Sequence, residues 1–281
     1  MPLIFVPTPL GNLRDVTLRA LDVLRDAELI VAEDTRVARK LLRALAIEGR
    51  EIWSYREANA KRVTGAIVER ARAALVAVTS DAGMPGLSDP GSELVAAARE
   101  AGVAVEVLPG PSAATGVALL SGFPLRRFAF EGFPPRTSAA RRDRFAAALD
   151  SGMTTIWFES PQRIRAALAD LDAVAPDARV VLVREYTKLH EQQAAGTPRD
   201  VAALLAEPVR GEVAFAVAPY ECVSQAPPGA TADQIDALLA RGHRVGEVAK
   251  LLAASGYGER RDLYARASAR KARRKTPIKE A

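Results

Sequence analysis

The stretch LVAVTSDAGMPGLSDPG, residues 75–91, decides how this chain folds. Its first five residues, Leu75–Thr79, are apolar and partly β-branched, the pattern of a strand buried on both faces. The twelve that follow contain three glycines and two prolines. Proline fixes φ, and glycine lets backbone approach a ligand closely. The strand therefore runs into a stiff loop that presents N–H and C=O groups at set positions. Two other apolar runs end the same way. Leu3–Val6 leads into Pro7-Thr8-Pro9-Leu10-Gly11-Asn12-Leu13, and Val105–Leu108 leads into Pro109-Gly110-Pro111-Ser112-Ala113. One such loop is an ordinary tight turn. Three at the ends of strands of one sheet point to a ligand site, because open parallel sheets bind ligands outside the carboxyl ends of their strands.

Working outward, Leu29–Ala32 reads as a fourth strand. Helical patterns lie between the strands, over Thr17–Arg25, Val37–Ala46, Lys61–Ala74 and Glu93–Ala101, with Asp34 or Thr35 and Ser92 as N-caps. This alternation predicts an α/β domain over residues 1–120, its largely parallel sheet covered on both faces. Residues 121–223 read as a second α/β domain. Its strands are Thr154–Phe158, Val180–Val183 and Val213–Val217, and its helices Ile164–Leu171 and Val201–Leu205; Glu185–Gly196 reads as an extended segment or hairpin. Residues 224–231, SQAPPGAT, have the composition of a linker. Residues 232–281 read as a small basic helical region, with helices near 232–241, 245–254 and 260–272.

Composition narrows the function. A chain of 281 residues suits two ordinary domains, and 49% hydrophobic with 26% charged residues is the mix of a soluble globular protein. No run of eighteen apolar residues occurs, so no membrane span is expected, and the opening MPLIFVPTPLGN reads as a buried strand rather than a secretory signal. One cysteine, Cys222, excludes an internal disulfide and suits a reducing cytoplasm. Two histidines, His190 and His243, are too few for a histidine-rich metal site, and no metal is expected. The net charge of +5 is uneven: Arg260 to Ala281 holds nine Lys/Arg against two acids, the remainder thirty against thirty-two. Such a tail suits a phosphate-rich partner, with Arg270, Lys271, Arg273, Arg274 and Lys275 as phosphate contacts. Tyr257 and Tyr264 nearby suit either stacking on bases or helix packing. No loop has the spacing of a dinucleotide fingerprint or a P-loop.

Taken in order, VPTPLGNLRDVTLRAL, AEDTR, SDAGMPGLSDPG, LPGPSA, FEGFPPR, FESPQR, REYTKLHE and the final GYGERRDLYARA resemble the ribosomal RNA small subunit methyltransferase I family, a branch of the tetrapyrrole-methylase-like fold. The resemblance implies two α/β domains with S-adenosylmethionine in the cleft between them, a homodimer, and 2′-O-methylation of a cytidine in the decoding region of 16S rRNA. By position it implies cofactor contacts from Leu10, Gly11, Asn12, Asp81, Met84, Leu87, Ser112 and Ala113, and from Phe158 and Glu212 in the second domain. The chain departs from the family pattern at Met84, where threonine is usual, and at Val37, Arg56 and Gln162, where histidine is usual. Any base drawn from those histidines is lost.

A ribose hydroxyl is a weak nucleophile, so a base, or a cation favouring the alkoxide, assists its methylation. The polar run Arg184–Glu191 supplies the candidates. Lys188 suits a cation, or a base if burial lowers its pKa, and Glu185 suits a proton acceptor or a partner that orients Lys188. A salt-bridged polar segment is the plainer reading of the same run, as is a cap with an ion pair for Asp34 and Arg36. Two rival functions stay open. One is a methyltransferase of the same fold acting on a tetrapyrrole or a protein residue. The other is a non-catalytic RNA-binding factor of ribosome assembly, whose partner is likewise 16S rRNA or the 30S subunit.

Overall fold

Within that run Val76–Thr79 becomes a strand buried along its length, with Leu75 just before it, and it is the centre of a five-stranded parallel sheet. The structure is a computed structural model that describes residues 2–220, 230–255 and 257–275, with the backbone alone for 230, 231 and 272–275. The first sheet takes β1 (Leu3–Phe5), β2 (Leu29–Ala32), β3 (Glu51–Ser54), β4 (Val76–Thr79) and β5 (Val105–Val107) in the order β3-β2-β4-β1-β5, every pairing parallel. Side chains alternate along each strand, and each face has its own core. Leu3, Phe5, Val31 and Val78 pack against Ile67 and Ala71 of α3 (Ala60–Ala73) and Leu94 and Ala98 of α4 (Ser92–Glu100). Ile4, Val6, Ile30 and Ala77 pack against Ala20 and Leu24 of α1 (Leu18–Asp26) and Leu42 of α2 (Thr35–Ala44). Burial of both faces explains why these strands are continuous apolar runs.

The second sheet has β6 (Phe128–Gly132), β7 (Thr154–Glu159), β8 (Val180–Arg184), β9 (Gln192–Gly196) and β10 (Val213–Val217) in the order β6-β7-β10-β8-β9. Only β6 and β7 run parallel. One face buries Phe145, Trp157 and Phe215 beneath α6 (Ser138–Leu149), α7 (Ile164–Val174) and α8 (Pro198–Leu204). The other face receives α5 (Ala113–Leu120): Ala114, Val117 and Ala118 pack on Ile156, Val183, Ala214 and Ala216. The helix that leaves the first sheet thus covers the second.

The chain divides into two compact units, Met1–Glu221 and Cys222–Ala281. Both sheets belong to the first. The second packs Ile235 of α9 (Ala230–Ala240), Val248 and Leu252 of α10 (Val245–Ala254), and Leu263 and Ala267 of α11 (Arg260–Lys275) into a small core of its own. Among the described residues no helix is long and apolar enough to cross a membrane.

Two cap expectations part company. Asp34 caps α2, its carboxylate accepting from the Arg36 amide at 2.8 Å. Ser92 is instead the first residue of α4, with Gly91 in the cap position and no side-chain cap. Cys222 and residues 224–229 of the expected linker lie outside the described residues.

One buried ion pair ties α6 to α7. The Arg141 guanidinium meets Asp170 at 2.5 Å, and Ser138 Oγ donates to the same carboxylate at 2.6 Å. Burial pushes the Asp170 carboxyl up, but the hydrogen bonds and charge of Ser138 and Arg141 outweigh it, and its pKa falls below the usual aspartate value. Replacing Asp170 by alanine strands a buried guanidinium and is expected to cost about 3–5 kcal/mol. A double replacement, Arg141→Met with Asp170→Leu, removes both charges and regains most of that loss. Thermal unfolding of the two variants beside the parent checks it.

Candidate active site

The three glycine- and proline-rich loops converge at the carboxyl edge of the first sheet. Thr8 and Gly83 exchange a pair of backbone hydrogen bonds, 2.9 and 3.0 Å, which zip the first loop to the second. Thr8 Oγ1 adds a bond to the Ser80 carbonyl at 3.3 Å. The second loop also folds back on itself, so closely that a Cβ at Gly91 would lie 2.9 Å from Gly86 Cα and 3.2 Å from the Phe5 ring.

Above these loops is a cavity of about 370 Å³. The first sheet's loops line it with Leu10, Met84, Leu87, Ser88, Asp89, Ser112 and Ala113. The second sheet contributes Phe158, Glu159, Ser160, Tyr186 and Glu212. Phe130 and Phe133 pack edge-on against Phe158, with ring centroids 4.9 and 5.9 Å away. The wall is mainly apolar, and its charged lining groups are three carboxylates, Asp89, Glu159 and Glu212, with no lysine, arginine or histidine among them. A pocket so charged favours a cationic ligand. Glu159 is 2% exposed. Its Oε1 accepts from the Ser160 amide at 2.7 Å, while Oε2 lies 3.1 Å from Arg163 without an aligned hydrogen bond and keeps acceptor capacity.

Acids gather below the cavity. Burial, and the nearby charges of Glu33 and Asp81, push the Asp89 carboxyl up to about 7, against a hydrogen bond from Ser80. Burial and Asp81 also raise Glu33. Asp81 Oδ1 accepts from the Asp34 amide at 3.1 Å, joining the β4 loop to the β2 loop. Asp34 pairs with Arg36 at 2.6 Å and Arg56 at 3.4 Å, and the Arg36 hydrogen bonds hold its pKa far down.

The run Arg184–Glu191 closes one end. Lys188 Nζ donates to Glu185 Oε1 at 2.8 Å and to Glu212 Oε2 at 3.1 Å. The Glu212 amide donates to Glu185 Oε1 at 3.0 Å. Burial pulls the Lys188 pKa down, but its bonds to the two glutamates outweigh that and raise it. Burial pushes Glu185 up, but the Lys188 bond and the Glu212 amide outweigh that and lower it. Both groups are therefore held charged, which favours Lys188 as a cation over Lys188 as a base. A Cβ at position 11 would fall 2.1 Å from Lys188 Cγ, so Gly11 lets the lysine stem cross the first loop. Of four non-glycine residues with positive φ among those described, Ser88, Glu185 and Thr187 lie in these loops, where strained backbone commonly serves a site.

Seven residues expected at the cofactor therefore line the cavity: Leu10, Met84, Leu87, Ser112, Ala113, Phe158 and Glu212. Gly11, Asn12 and Asp81 are outside its lining. Gly11 lies under Lys188, the Asn12 amide donates to Thr187 Oγ1 at 3.3 Å, and Asp81 holds the β2 loop. Asp89, Glu159 and Tyr186 were missed, although the strings SDPG, FESP and REYT contain them. In the tail, Arg270 is engaged by Asp236 of α9 rather than open to a phosphate, Nε donating at 2.9 Å. Lys271 is exposed, and the side chains of Arg273, Arg274 and Lys275 lie outside the described residues. Tyr257 accepts from Gln234 at 2.6 Å and packs in the helical core, while Tyr264 is exposed. Among the described residues no three His, Cys, Asp or Glu are placed to hold a metal ion.

Comparison with known proteins agrees with this geometry. Residues 2–202 match the family of Tetrapyrrole (Corrin/Porphyrin) Methylases. A Ribosomal RNA small subunit methyltransferase I of Mycobacterium bovis is 40% identical over 261 residues, covering 92% of this chain and 91% of the relative. Proteins of the same name from Thermotoga maritima and Vibrio cholerae are 42% and 43% identical over 191 residues each, covering 68% and 67% of this chain and 85% and 66% of those proteins. The crystal structure of diphthine synthase shares the fold, with a TM-score of 0.61 at 18% identity over 78% of this chain and 90% of that one. The chain therefore belongs to the tetrapyrrole methylases and, among them, to the ribosomal RNA small subunit methyltransferase I family, whose methyl donor is S-adenosylmethionine.

Proposed function

We propose that this enzyme methylates the ribose 2′-hydroxyl of a cytidine in the decoding region of 16S rRNA, within the 30S subunit, as a homodimer in the cytoplasm. One observation carries the cofactor half: a mainly apolar cavity whose charged lining groups are carboxylates alone. S-adenosylmethionine is cationic at its sulfonium and its ammonium, so it suits a lining whose ionisable groups are carboxylates better than a phosphate-bearing cofactor does. The relatives' name and the basic α11 support the RNA half. The basic helix also argues against a small tetrapyrrole substrate, which needs no such surface. Leu119, 75% exposed at the end of α5, is an apolar side chain suited to a subunit contact.

The bound cofactor supplies an electrophilic methyl, so the protein's task is to align the acceptor and keep water out. Alignment of this kind contributes roughly 7–11 kcal/mol. Leu10, Met84, Leu87 and Phe158 form the apolar wall that would exclude water, and Glu159 and Glu212 are the lining carboxylates that would offset the positive charge of a bound cofactor. We assign Lys188 as a fixed cation that favours the developing alkoxide, and Glu185 as the group that orients it. Glu185 and Glu212 engage two of the three ammonium donors of Lys188, which leaves one for an incoming oxygen.

Small ribosomal subunits from a strain lacking this methylation test the reading directly. With labelled S-adenosylmethionine they should take up about one methyl each, mapping to a cytidine 2′-oxygen. Methylation of a base, or of no RNA, would overturn it. Lys188→Ala should slow single-turnover transfer by about 10²–10³, the usual cost of one such donor, and change cofactor affinity far less. Equal rates would remove Lys188 from the step. A chain ending after Arg270 keeps the Arg270–Asp236 pair and lacks the basic residues beyond it. Its RNA affinity should fall less steeply with salt, by roughly 0.7–0.9 in log–log slope for each phosphate that the shortened tail leaves unneutralised.

A further inference from the structure

The exposed face of α2 carries one sign of charge. Arg36, Arg39, Lys40 and Arg43 recur at the spacing that puts them on one face of a helix, about 10 Å from end to end, and residues 35–47 contain no acid. The opposite face holds Ala38 and Leu42, 7% and 5% exposed. α1, α3 and α4, which cover the same sheet, mix both signs. We propose that this face of α2 seats the sugar–phosphate backbone of the rRNA beside the nucleotide that is methylated. The inference rests on the reading that the enzyme methylates rRNA.

A row of like charges does not serve the helix itself. Arg36 and Lys40 are four residues apart, as are Arg39 and Arg43, while Arg36 and Arg39, and Lys40 and Arg43, are three apart. Each of these pairs meets on the helix surface and repels. Arg36 also sits in the first turn, where the helix dipole opposes a cation, and the Asp34 cap offsets this through its 2.6 Å ion pair. Further along, nothing plays that part. Arg39 reaches only Thr35 Oγ1, at 3.5 Å, and among the described residues neither Lys40 nor Arg43 meets an acid. All three residues are exposed. A polyanion lying along the face would offset every one of these repulsions. Three such cations spread over more than one turn suit a chain of phosphates rather than a single one.

The face also begins at the cavity. α2 starts after β2, at the carboxyl edge of the first sheet. The Asp34 amide is tied to Asp81, on the loop whose Ala82, Gly83 and Met84 line the cavity. Arg56 extends the row at that end. It pairs with Asp34 and donates to the Glu33 carbonyl at 2.8 Å, while half of its side chain stays in solvent. Charge is therefore sorted: acids line and underlie the cavity, and cations lead away from it along α2. This arrangement repels phosphates from the cavity and holds them beside it. Phosphate contacts fix the register of a strand without reading its bases, so this face positions the substrate and does not choose the nucleotide.

The test uses the full chain and 30S subunits that lack the modification. In the triple variant Arg39→Gln, Lys40→Gln, Arg43→Gln, the slope of log affinity for 30S against log salt should shrink by about 2–3, at roughly 0.7–0.9 for each lost phosphate contact. Affinity at physiological salt, and kcat/KM with it, should fall by about 10–10². The single-turnover rate at saturating 30S and the calorimetric affinity for S-adenosylmethionine should stay within about threefold of wild type, because the contacts position and do not react. Its thermal midpoint should be unchanged or raised, since like charges have been removed, which separates lost binding from lost fold. Arg39→Lys with Arg43→Lys keeps the charges and should keep the slope, because lysine meets a phosphate as a point charge. A photo-crosslinker in place of Lys40 should label rRNA beside the methylated nucleotide. A wild-type slope and affinity in the triple variant, or a crosslink to a ribosomal protein or to remote rRNA, overturns the inference while the methylation reading stands. Wild-type enzyme that methylates no RNA overturns both.

Discussion

The packing of α5 on the second sheet is the contact on which the site depends. The helix starts at Ser112–Ala113, in the third loop of the first sheet, and both residues line the cavity. Its sequence AATGVALL offers small side chains to β7, β8 and β10, so helix and sheet approach closely. Gly116 leaves room for the Tyr186 ring, which a Cβ there would meet at 2.6 Å. Because α5 belongs to one loop cluster and lies on the opposite sheet, it sets the distance across the cavity. Phe158, Glu159 and Glu212 face the loops for that reason. A bulkier face on α5 would separate the two halves without touching a ligand.

Within that frame, environment divides the carboxylates into two kinds. Glu185 is held ionised by Lys188 and the Glu212 amide, and Asp34 by Arg36. Asp89 has buried surroundings and acidic neighbours, so its proton comes off only near neutrality. Their surroundings thus hold neighbouring acids in different protonation states. Val37, Arg56 and Gln162 bring no imidazole to this region, and Arg56 pairs with Asp34.

How much of this could be read from the sequence follows from what periodicity reports. β2, β4 and β10 are buried on both faces, and their apolar runs announce them. β3, with sequence EIWS, and β6, with FAFEG, are partly exposed edge strands without such a run, and both went unread. α5 went unread because AATGVALL has no polar face to set a helical period. The polar β9 showed only as extended chain, since its position at the sheet edge leaves it half in solvent. At the site, the loops were legible from glycine and proline, and resemblance supplied their contact residues. Asp89 and Glu159 were not legible, because a carboxylate inside a motif carries no sign of its burial. The Lys188–Glu212 pair spans 24 residues, and the Arg270–Asp236 pair joins α11 to α9. Nothing local encodes either one.

The same long-range pairs explain why the cavity is preformed. α5 closes it on one side. On the other, the second sheet reaches back to the first through the Lys188 stem over Gly11 and through Thr187, which accepts from the Asn12 amide. Glu185 and Thr187 adopt positive φ to make that crossing, a cost the surrounding hydrogen bonds must offset. In-line transfer to a weak nucleophile gains most from fixed geometry, since a misplacement of about 1 Å can cost about 10²-fold in rate. Gly11 contributes to this through the space it leaves: by making room for one lysine stem, it lets the charged end of the pocket be held from both sheets at once.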